Sequence, residues 1–353
     1  MITDDKIGIG YGLMGVFQND AKFVTFDGTN FHLDALRLTE HLSTIARAGA
    51  NFVRVLPWGV WGSHPGQKKA TQFQPYILKK VGTQELWNLD AFNTYYFPIV
   101  KEFFTIANGV GLTVLWDLFD NCQLHGSYSK WSPWVNNTQG VLSFYDKKAD
   151  VYTKRWVSTM TLRHQTNDVI WGFGNELENP DAPDFVKRAI FPYITLRNLE
   201  FRRLTYGATV KDNGALDSIQ DTIRKSVREK FGLVAEKDVI IEDHGWPWNY
   251  GLSIWGSKPY CKLFSDDGFY GGLSICDRRD KGARPSASQW KTRVKYVLAN
   301  YPVSMGGRPR LISFEHLPGI YPPDNTCQSA TIRAISSAYK EKFNVWPHNY
   351  RST

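Results

Sequence analysis

The sequence has few cysteines, no long apolar run and no concentration of charge. Its four cysteines, among 353 residues, are widely spaced and include no Cys-x-x-Cys pair, so we expect buried thiols, with at most one disulfide if the protein is exported. No run approaches the roughly 18 apolar residues that span a membrane. The first residues lack the basic and then apolar pattern of a signal peptide. We therefore expect no membrane partner and a protein that is either cytoplasmic or exported by a leader not in this chain.

The charge of the chain also excludes one class of partner. Lysine and arginine number 42 against 34 aspartate and glutamate, a formal net charge of +8, but they are scattered without a basic run. Because nucleic-acid-binding proteins concentrate such charge in a patch or motif, we expect no nucleic-acid partner. We interpret the excess as a solubilising surface, and the alternative is that it favours an anionic glycan. Tryptophan, by contrast, is abundant, at 13 residues. Its flat ring suits stacking against sugar faces, although any single tryptophan more often packs a core.

The most informative stretch is residues 169–176, Val-Ile-Trp-Gly-Phe-Gly-Asn-Glu. Its apolar residues favour a buried strand, and Gly172 and Gly174 would allow another part of the chain to approach closely. Asn175 and Glu176 come where this strand should end. A carboxylate at the end of an apolar strand can be desolvated enough to raise its pKa, as a general acid requires. The alternative interpretation is a helix N-cap followed by an acid in the first turn.

Apolar strands and amphipathic helices alternate along most of the chain, which is typical of a parallel sheet covered by helices. We predict strands within 7–17, 51–58, 112–118, 169–173, 204–210, 238–244 and 310–316, and helices within 38–49, 90–107, 149–164, 183–199, 219–232, 286–298 and 326–343. The Asp27-Gly28 turn predicts a small hairpin, and Pro98 predicts a kink in the second helix. No internal repeat, low-complexity tract or linker interrupts the pattern, so we predict one domain over residues 1–353.

The order of these motifs resembles that of the clan A retaining glycoside hydrolases, which include many cellulases, mannanases and β-glycosidases. In that clan a strand followed by Gly-Asn-Glu, as at residues 174–176, is the fourth strand of a (β/α)8 TIM barrel. The resemblance implies that Glu176 is the catalytic acid/base and that Asn175 binds the sugar 2-hydroxyl. It also implies that Arg54, a costly charge within an apolar second strand, hydrogen-bonds the nucleophile. We therefore predict an α/β fold, a single-domain TIM barrel with long loops at the carboxyl ends of its strands.

Two strand-end glutamates compete for the role of nucleophile, since a retaining glycosidase needs two carboxyl groups about 5–5.5 Å apart. Glu315 ends an apolar run that resembles the clan's nucleophile strand, and we favour it over Glu242, which ends another apolar strand. Only 38 residues of the 353 follow Glu315, which is short for a complete barrel. Either strand eight is vestigial near 345–346, which we prefer because it keeps Glu315 on strand seven as in the clan, or residues 271–276 form strand seven and Glu315 lies on strand eight.

Further residues are expected to bind the substrate. His244 lies where many clan members carry a sixth-strand histidine, although their His-x-Tyr is here His244-Gly245-Trp246. His125 lies in the long aromatic loop 119–145, whose length and composition favour a functional role. The tryptophans expected to stack on sugar rings are Trp58, Trp61, Trp131, Trp134, Trp246 and Trp248.

Taken together, these features predict a retaining hydrolase of β-glycosidic bonds in a polysaccharide or oligosaccharide, acting by double displacement without a cofactor or metal. One alternative is a barrel that binds carbohydrate but has lost catalysis. Another is a metal-dependent hydrolase using His125, His244, His316 and Asp117. The absence of a His-x-His or His-Glu-x-x-His motif disfavours it. The oligomeric state and the identity of the sugar stay open.

Overall fold

The computed structural model describes residues 8–13, 17, 23–56, 68–175, 177, 179–194, 204–208, 213–232, 239–244, 261–266, 288, 291, 292, 295, 311–316 and 325–344, and in five of the strands it describes the backbone alone. Within these residues, eight strands form one parallel sheet. They are β1 Gly8–Leu13, β2 Phe52–Val55, β3 Thr113–Asp117, β4 Val169–Gly172, β5 Leu204–Ala208, β6 Val239–His244, β7 Cys261–Asp266 and β8 Leu311–His316. The predicted α/β class, with a parallel sheet, is confirmed.

The strands close into a barrel. Each pairs in parallel with its neighbour in the chain, and β8 pairs with β1. Carried once around the barrel, the paired positions return to β2 displaced by eight residues. The number of strands and this stagger together fix how far the strands tilt from the axis of the barrel. Side chains fill the interior of such a barrel, and the carboxyl ends of its strands meet at one face.

A helix lies between each two successive strands from β1 to β6, and the described residues 288, 291, 292 and 295, between β7 and β8, are helical as well. The helices whose bounds the structure describes are α1 Ala35–Arg47, α2 Tyr96–Gly109, α3 Asp150–Arg163, the short α4 Ala182–Phe185 continued by a π-helical turn Val186–Ile190, α5 Asn213–Phe231 and, after β8, α6 Asn325–Phe343. The side chain of Asp34 caps α1 by accepting from the backbone N–H of Arg37 at 2.9 Å, and Gly49, with φ of 114°, follows its end. In the part of the chain described here, no helix combines the length and apolar character that a membrane crossing requires.

Helix α2 begins later than predicted. The chain is in a strand, Gln84–Phe92, where the helix was expected to start, and the helix begins at Tyr96. Pro98 therefore lies in the first turn, where its missing N–H costs no hydrogen bond, and the predicted kink is wrong. The strand Gln84–Phe92 pairs with Tyr76–Val81 in an antiparallel hairpin that the sequence analysis did not predict. The smaller hairpin, Val24–Phe26 with Phe31–Leu33, is confirmed.

The long loop between β3 and α3 is tied to the unpredicted hairpin. The backbone N–H of Trp87 donates to the carbonyl of Asn136 at 3.0 Å, and that of Thr138 donates to the carbonyl of Trp87 at 2.9 Å. The indole N–H of Trp87 donates to the carbonyl of Trp131 at 3.2 Å. The hairpin therefore supports the loop at residues 131–138.

Glu315 lies on β8, so its preferred placement on strand seven is wrong. The seventh strand is Cys261–Asp266, in a stretch that the sequence analysis interpreted as a connection. Its lysine, serine and aspartate break the continuous apolar run expected of a strand buried on both faces. The alternative was right to put Glu315 on strand eight but assigned strand seven to 271–276. Those residues, and the vestigial strand proposed at 345–346, lie outside the described residues.

Alternation along the strands separates an outer from an inner face of the barrel. Trp116 of β3 and Trp171 of β4 are paired and fully buried, and both rings lie against Phe104 of α2, at centroid distances of 5.2 and 6.5 Å. These tryptophans therefore face the helices. Because successive residues of a strand alternate between faces, Asp117 faces the barrel interior, and so does Arg54, which pairs with Leu115.

Candidate active site

A buried ionic network lies at the carboxyl ends of β2, β3 and β4. The guanidinium of Arg54 donates from Nε to Oδ2 of Asp117 at 2.9 Å and from Nη2 to Oδ1 of Asn175 at 2.9 Å. All three side chains are at most 2 % exposed. A buried arginine is tolerated only where acceptors meet its charge and donors, so Asp117 compensates the charge that made Arg54 conspicuous in the sequence. The predicted contact of Arg54 with Glu315 involves a side chain outside those described.

The amide of Asn175 is held at both ends. Its Oδ1 accepts from Arg54, and its Nδ2 donates to Oδ1 of Asp120 at 3.1 Å. Its backbone is held as well, because its N–H donates to the carbonyl of Phe119 at 2.9 Å and its carbonyl accepts from Asn121 at 3.0 Å. The sequence analysis did not identify Asp120 as part of the site. The only signal for it was its place just beyond the end of an apolar strand.

Gly174 allows the chain after β4 to approach the chain after β3. A Cβ at this position would lie 2.9 Å from the carbonyl oxygen of Phe119 and 2.9 Å from Cδ2 of Leu177, closer than side-chain carbons are normally found. The interpretation of Gly174 as a residue of close approach is confirmed. The absence of a side chain here permits the two backbone hydrogen bonds of Asn175.

Replacing Gly174 by alanine is expected to lower the free energy of unfolding by about 1–3 kcal/mol, because the added methyl group must displace backbone. It should also reduce activity, since Asn175 moves with its backbone. Denaturant titration and turnover measure the two effects. Gly109→Ala is the matched control, because nothing lies within 4 Å of a Cβ there. A Gly174→Ala protein as stable as the Gly109→Ala protein would contradict the close approach.

The loop after β3 supplies polar and aromatic groups beside this network. The side chains of Asn121 and His125 are hydrogen-bonded, Nδ2 to Nε2, at 3.2 Å, and Tyr145 donates its hydroxyl to Oδ1 of Asn121 at 3.2 Å. His125 is exposed, as a substrate-binding residue must be. Trp131 is only 9 % exposed, with Lys130 over its ring at 5.2 Å. Trp134 is fully buried against Phe119 and Phe144, so the expectation that it stacks on sugar is wrong.

Register relates Glu315 to Arg54 through the strand between them. Gly12 of β1 pairs with Glu315 on one side and with Arg54 on the other. Residues paired in a parallel ladder share a face of the sheet, so all three positions belong to the interior face. The glycine between them contributes no side chain at that level. The same reasoning, carried from β4 through β5, places Glu242 and His244 on the interior face.

Glu242 lies deeper in the barrel than Glu315. Glu242 pairs with Leu263, which pairs with Leu311, and Leu311 precedes Glu315 by four residues. The stagger of the barrel shifts positions of equal height by one residue per strand. Since β6 and β8 are two strands apart, the stagger accounts for two of these four residues. The remaining two residues correspond to about 5 Å along the barrel axis. Glu315 is therefore the nearer of the two glutamate positions to the carboxyl ends of the strands.

Several predicted site residues lie outside the described residues. They are Glu176, Trp58, Trp61, Trp246 and Trp248. Asn175, which precedes Glu176 in the chain, and Leu56, two residues before Trp58, are described and buried at the carboxyl ends of β4 and β2. Among the residues that the structure does describe, no group of three histidine, cysteine, aspartate or glutamate side chains could hold a metal ion.

Known proteins resemble this chain in structure alone. No protein-family profile and no curated protein sequence matches it. The endo-β-mannanase/endo-β-glucanase PbGH26A-GH5A of Prevotella bryantii is 12 % identical, with a TM-score of 0.57 over 95 % of this chain and 49 % of that one. The exo-β-1,4-mannosidase Op5Man5 of Opitutaceae bacterium strain TAV5 is 12 % identical, with a TM-score of 0.52 over 87 % and 51 %. A GH5-4 broad specificity endoglucanase from an uncultured bacterium is 12 % identical, with a TM-score of 0.52 over 94 % of each chain.

These similarities concern the fold. The chain spans about half the length of the first two proteins, and at 12 % identity their activities do not transfer to it directly. The similar structures are mostly family 5 glycoside hydrolases, which belong to clan A. The resemblance to clan A predicted from the sequence is therefore confirmed, while no family within the clan is indicated.

Proposed function

We propose that this chain is a retaining glycoside hydrolase that cleaves β-glycosidic bonds in a polysaccharide or oligosaccharide, built as a single-domain (β/α)8 TIM barrel. One observation carries the proposal, the buried network in which Arg54 and Asp120 hold Asn175 immediately before Glu176. This network lies at the carboxyl ends of the strands, where TIM-barrel enzymes act. The similar solved structures, which include a mannosidase and an endoglucanase, support the substrate class.

In this mechanism Glu176 protonates the departing glycosidic oxygen and later takes a proton from the attacking water. Glu315 attacks the anomeric carbon, and water then hydrolyses the glycosyl–enzyme ester with net retention. Glu315 and the buried cation Arg54 both pair with Gly12 on the interior face, which supports this role, because a nearby positive charge keeps a carboxylate ionised. Asn175 donates to the 2-hydroxyl. The residues proposed to bind sugar rings and hydroxyls are His244, His125, Trp58, Trp61, Trp131 and Trp246.

The direct test is to follow hydrolysis of a panel of aryl β-glycosides and β-linked oligosaccharides by ¹H NMR. The first product formed should carry the β configuration at the anomeric carbon, before mutarotation. An α product would point to an inverting enzyme, in which the two carboxyl groups are farther apart. Absence of hydrolysis across the panel would refute the proposal.

Replacing Glu176 by glutamine is expected to slow hydrolysis of an unactivated phenyl glycoside by about 10²–10⁴-fold, because the leaving oxygen then departs without a proton. A 2,4-dinitrophenyl glycoside, whose leaving group needs no proton, should form the glycosyl–enzyme at nearly the original rate. Burst kinetics on the two substrates measure the difference. An equal loss on both substrates would show that Glu176 is not the general acid.

The placement of Glu315 on β8 supports a second candidate, a barrel that binds carbohydrate without cleaving it, since the clan carries its nucleophile on strand seven. That protein would bind oligosaccharides, as measured by calorimetry, and release no product during long incubation. Binding of this kind that survives the Glu176→Gln and Glu315→Gln substitutions unchanged would favour the second candidate over the first.

A further inference from the structure

Asp120 is a buried carboxylate to which the proposed mechanism gives no chemical step. It is fully buried and lies just after β3. Its Oδ1 accepts from Nδ2 of Asn175 at 3.1 Å and from the backbone N–H of Cys122 at 3.0 Å. Asp120 and Asn175 also form an isolated parallel bridge, which extends the pairing of β3 and β4 beyond the ends of both strands. Backbone and side chain together therefore join Asp120 to the residue that precedes Glu176.

The two neighbours of Asn175 determine which way its amide faces. The ends of an asparagine amide have nearly the same shape but opposite hydrogen-bonding character. The guanidinium of Arg54 can only donate, and an ionised Asp120 can only accept. A flipped amide would set N–H against N–H on one side and oxygen against oxygen on the other. Arg54 and Asp120 thus impose one orientation, in which Oδ1 faces Arg54 and one Nδ2 hydrogen remains for a ligand oxygen.

We infer that Asp120 is a positioning residue, which acts through Asn175 to present an N–H to the 2-hydroxyl oxygen of the sugar. The inference rests on the proposed function and assigns a role to a residue that the mechanism above does not use directly. Hydrogen bonds to the 2-hydroxyl strengthen in the transition state of glycoside hydrolysis, so Asp120 affects kcat more than KM. Its contribution requires a 2-hydroxyl on the substrate.

The experiment compares Asp120→Asn with the unmodified chain on an aryl β-glycoside and on its 2-deoxy analogue. An asparagine at 120 lacks the charge of the carboxylate and accepts more weakly from Nδ2 of Asn175, so Arg54 alone still orients that amide strongly. We expect this weaker hydrogen bond to lower kcat for the 2-hydroxy substrate by up to about 100-fold, the effect of losing a hydrogen bond to a charged group altogether. For the 2-deoxy substrate, kcat should stay within about twofold, because no hydroxyl oxygen is there to accept. Asp120→Glu, which keeps the acceptor, should recover part of the lost rate.

Asp168→Asn is the matched control. Asp168 immediately precedes β4, at the opposite end of that strand from Asn175. Its Oδ2 accepts from Oγ1 of Thr113 at 2.7 Å, a bond that asparagine can keep. It should alter neither substrate's kcat. Equal losses on both substrates in Asp120→Asn would overturn the inference in favour of a structural role, and so would no loss on either. Failure of the unmodified chain to hydrolyse either substrate would instead refute the proposed function, and this inference with it.

Discussion

Replacing Glu315 by glycine is expected to lower turnover of an aryl β-glycoside by about four to six orders of magnitude, the scale of loss when an enzyme's nucleophile is deleted. Without the carboxylate no glycosyl–enzyme forms. Azide can occupy the vacated space, attack the anomeric carbon from the same side and expel the aryl oxygen. The product is then an α-glycosyl azide, made from a β-glycoside by a single inversion. Phenolate release with and without azide, and NMR of the sugar product, measure the rescue.

The same deletion at Glu242 is the matched control for the nucleophile. Glu242 lies on the interior face of the barrel, as Glu315 does, but farther from the carboxyl ends of the strands. Glu242→Gly is expected to retain most of the turnover and to gain nothing from azide. Azide rescue of Glu242→Gly, with none for Glu315→Gly, would reverse the assignment. No rescue of either, with turnover by the unmodified chain, would show that neither glutamate is the nucleophile.

Replacing Arg54 by methionine is expected to lower the free energy of unfolding by about 3–5 kcal/mol. The loss arises because Asp117, at 1 % exposure, is left as a buried charge without the Nε donor 2.9 Å away. Oδ1 of Asn175 loses its donor in the same step. Turnover should fall as well, since the amide beside Glu176 is no longer oriented. Urea midpoints and kcat measure the two losses.

The double variant Arg54→Met/Asp117→Leu separates stability from activity. Replacing both members of a buried ion pair by apolar residues of similar size is often neutral or stabilising, so most of the lost stability should return. Activity should not return, because Asn175 still lacks its donor. If the double variant regained both stability and activity, Arg54 would be a structural residue with no part in the site.

The elements predicted correctly are those whose signals are local. Helix α1 has a capping aspartate, an apolar face at helical spacing and a glycine after its end, and all three lie within 16 residues of one another, from 34 to 49. Strand β7 and the hairpin Tyr76–Val81 with Gln84–Phe92 lack such signals. Their polar residues hide the apolar alternation, and only pairing with other strands makes them strands. The sequence analysis missed both for that reason.

The site residues also differ in whether a local sequence signal could predict them. Arg54 was recognisable because a charge inside an apolar strand demands a partner, and Asn175 because a motif carried it. Asp120 was not recognisable, since its role depends on an amide 55 residues away in the chain. No sequence pattern near position 120 predicts that contact. Distant side chains become neighbours only when the barrel aligns the ends of its strands.

The hydrogen bonds between Trp87 and the loop at 131–138 have a consequence for the thermodynamics of ligand capture. A surface that is already in place loses little conformational entropy when a ligand arrives, so more of the contact energy is retained as affinity. An oligosaccharide that bound beside this part of the loop would therefore contact residues that the hairpin already holds in place.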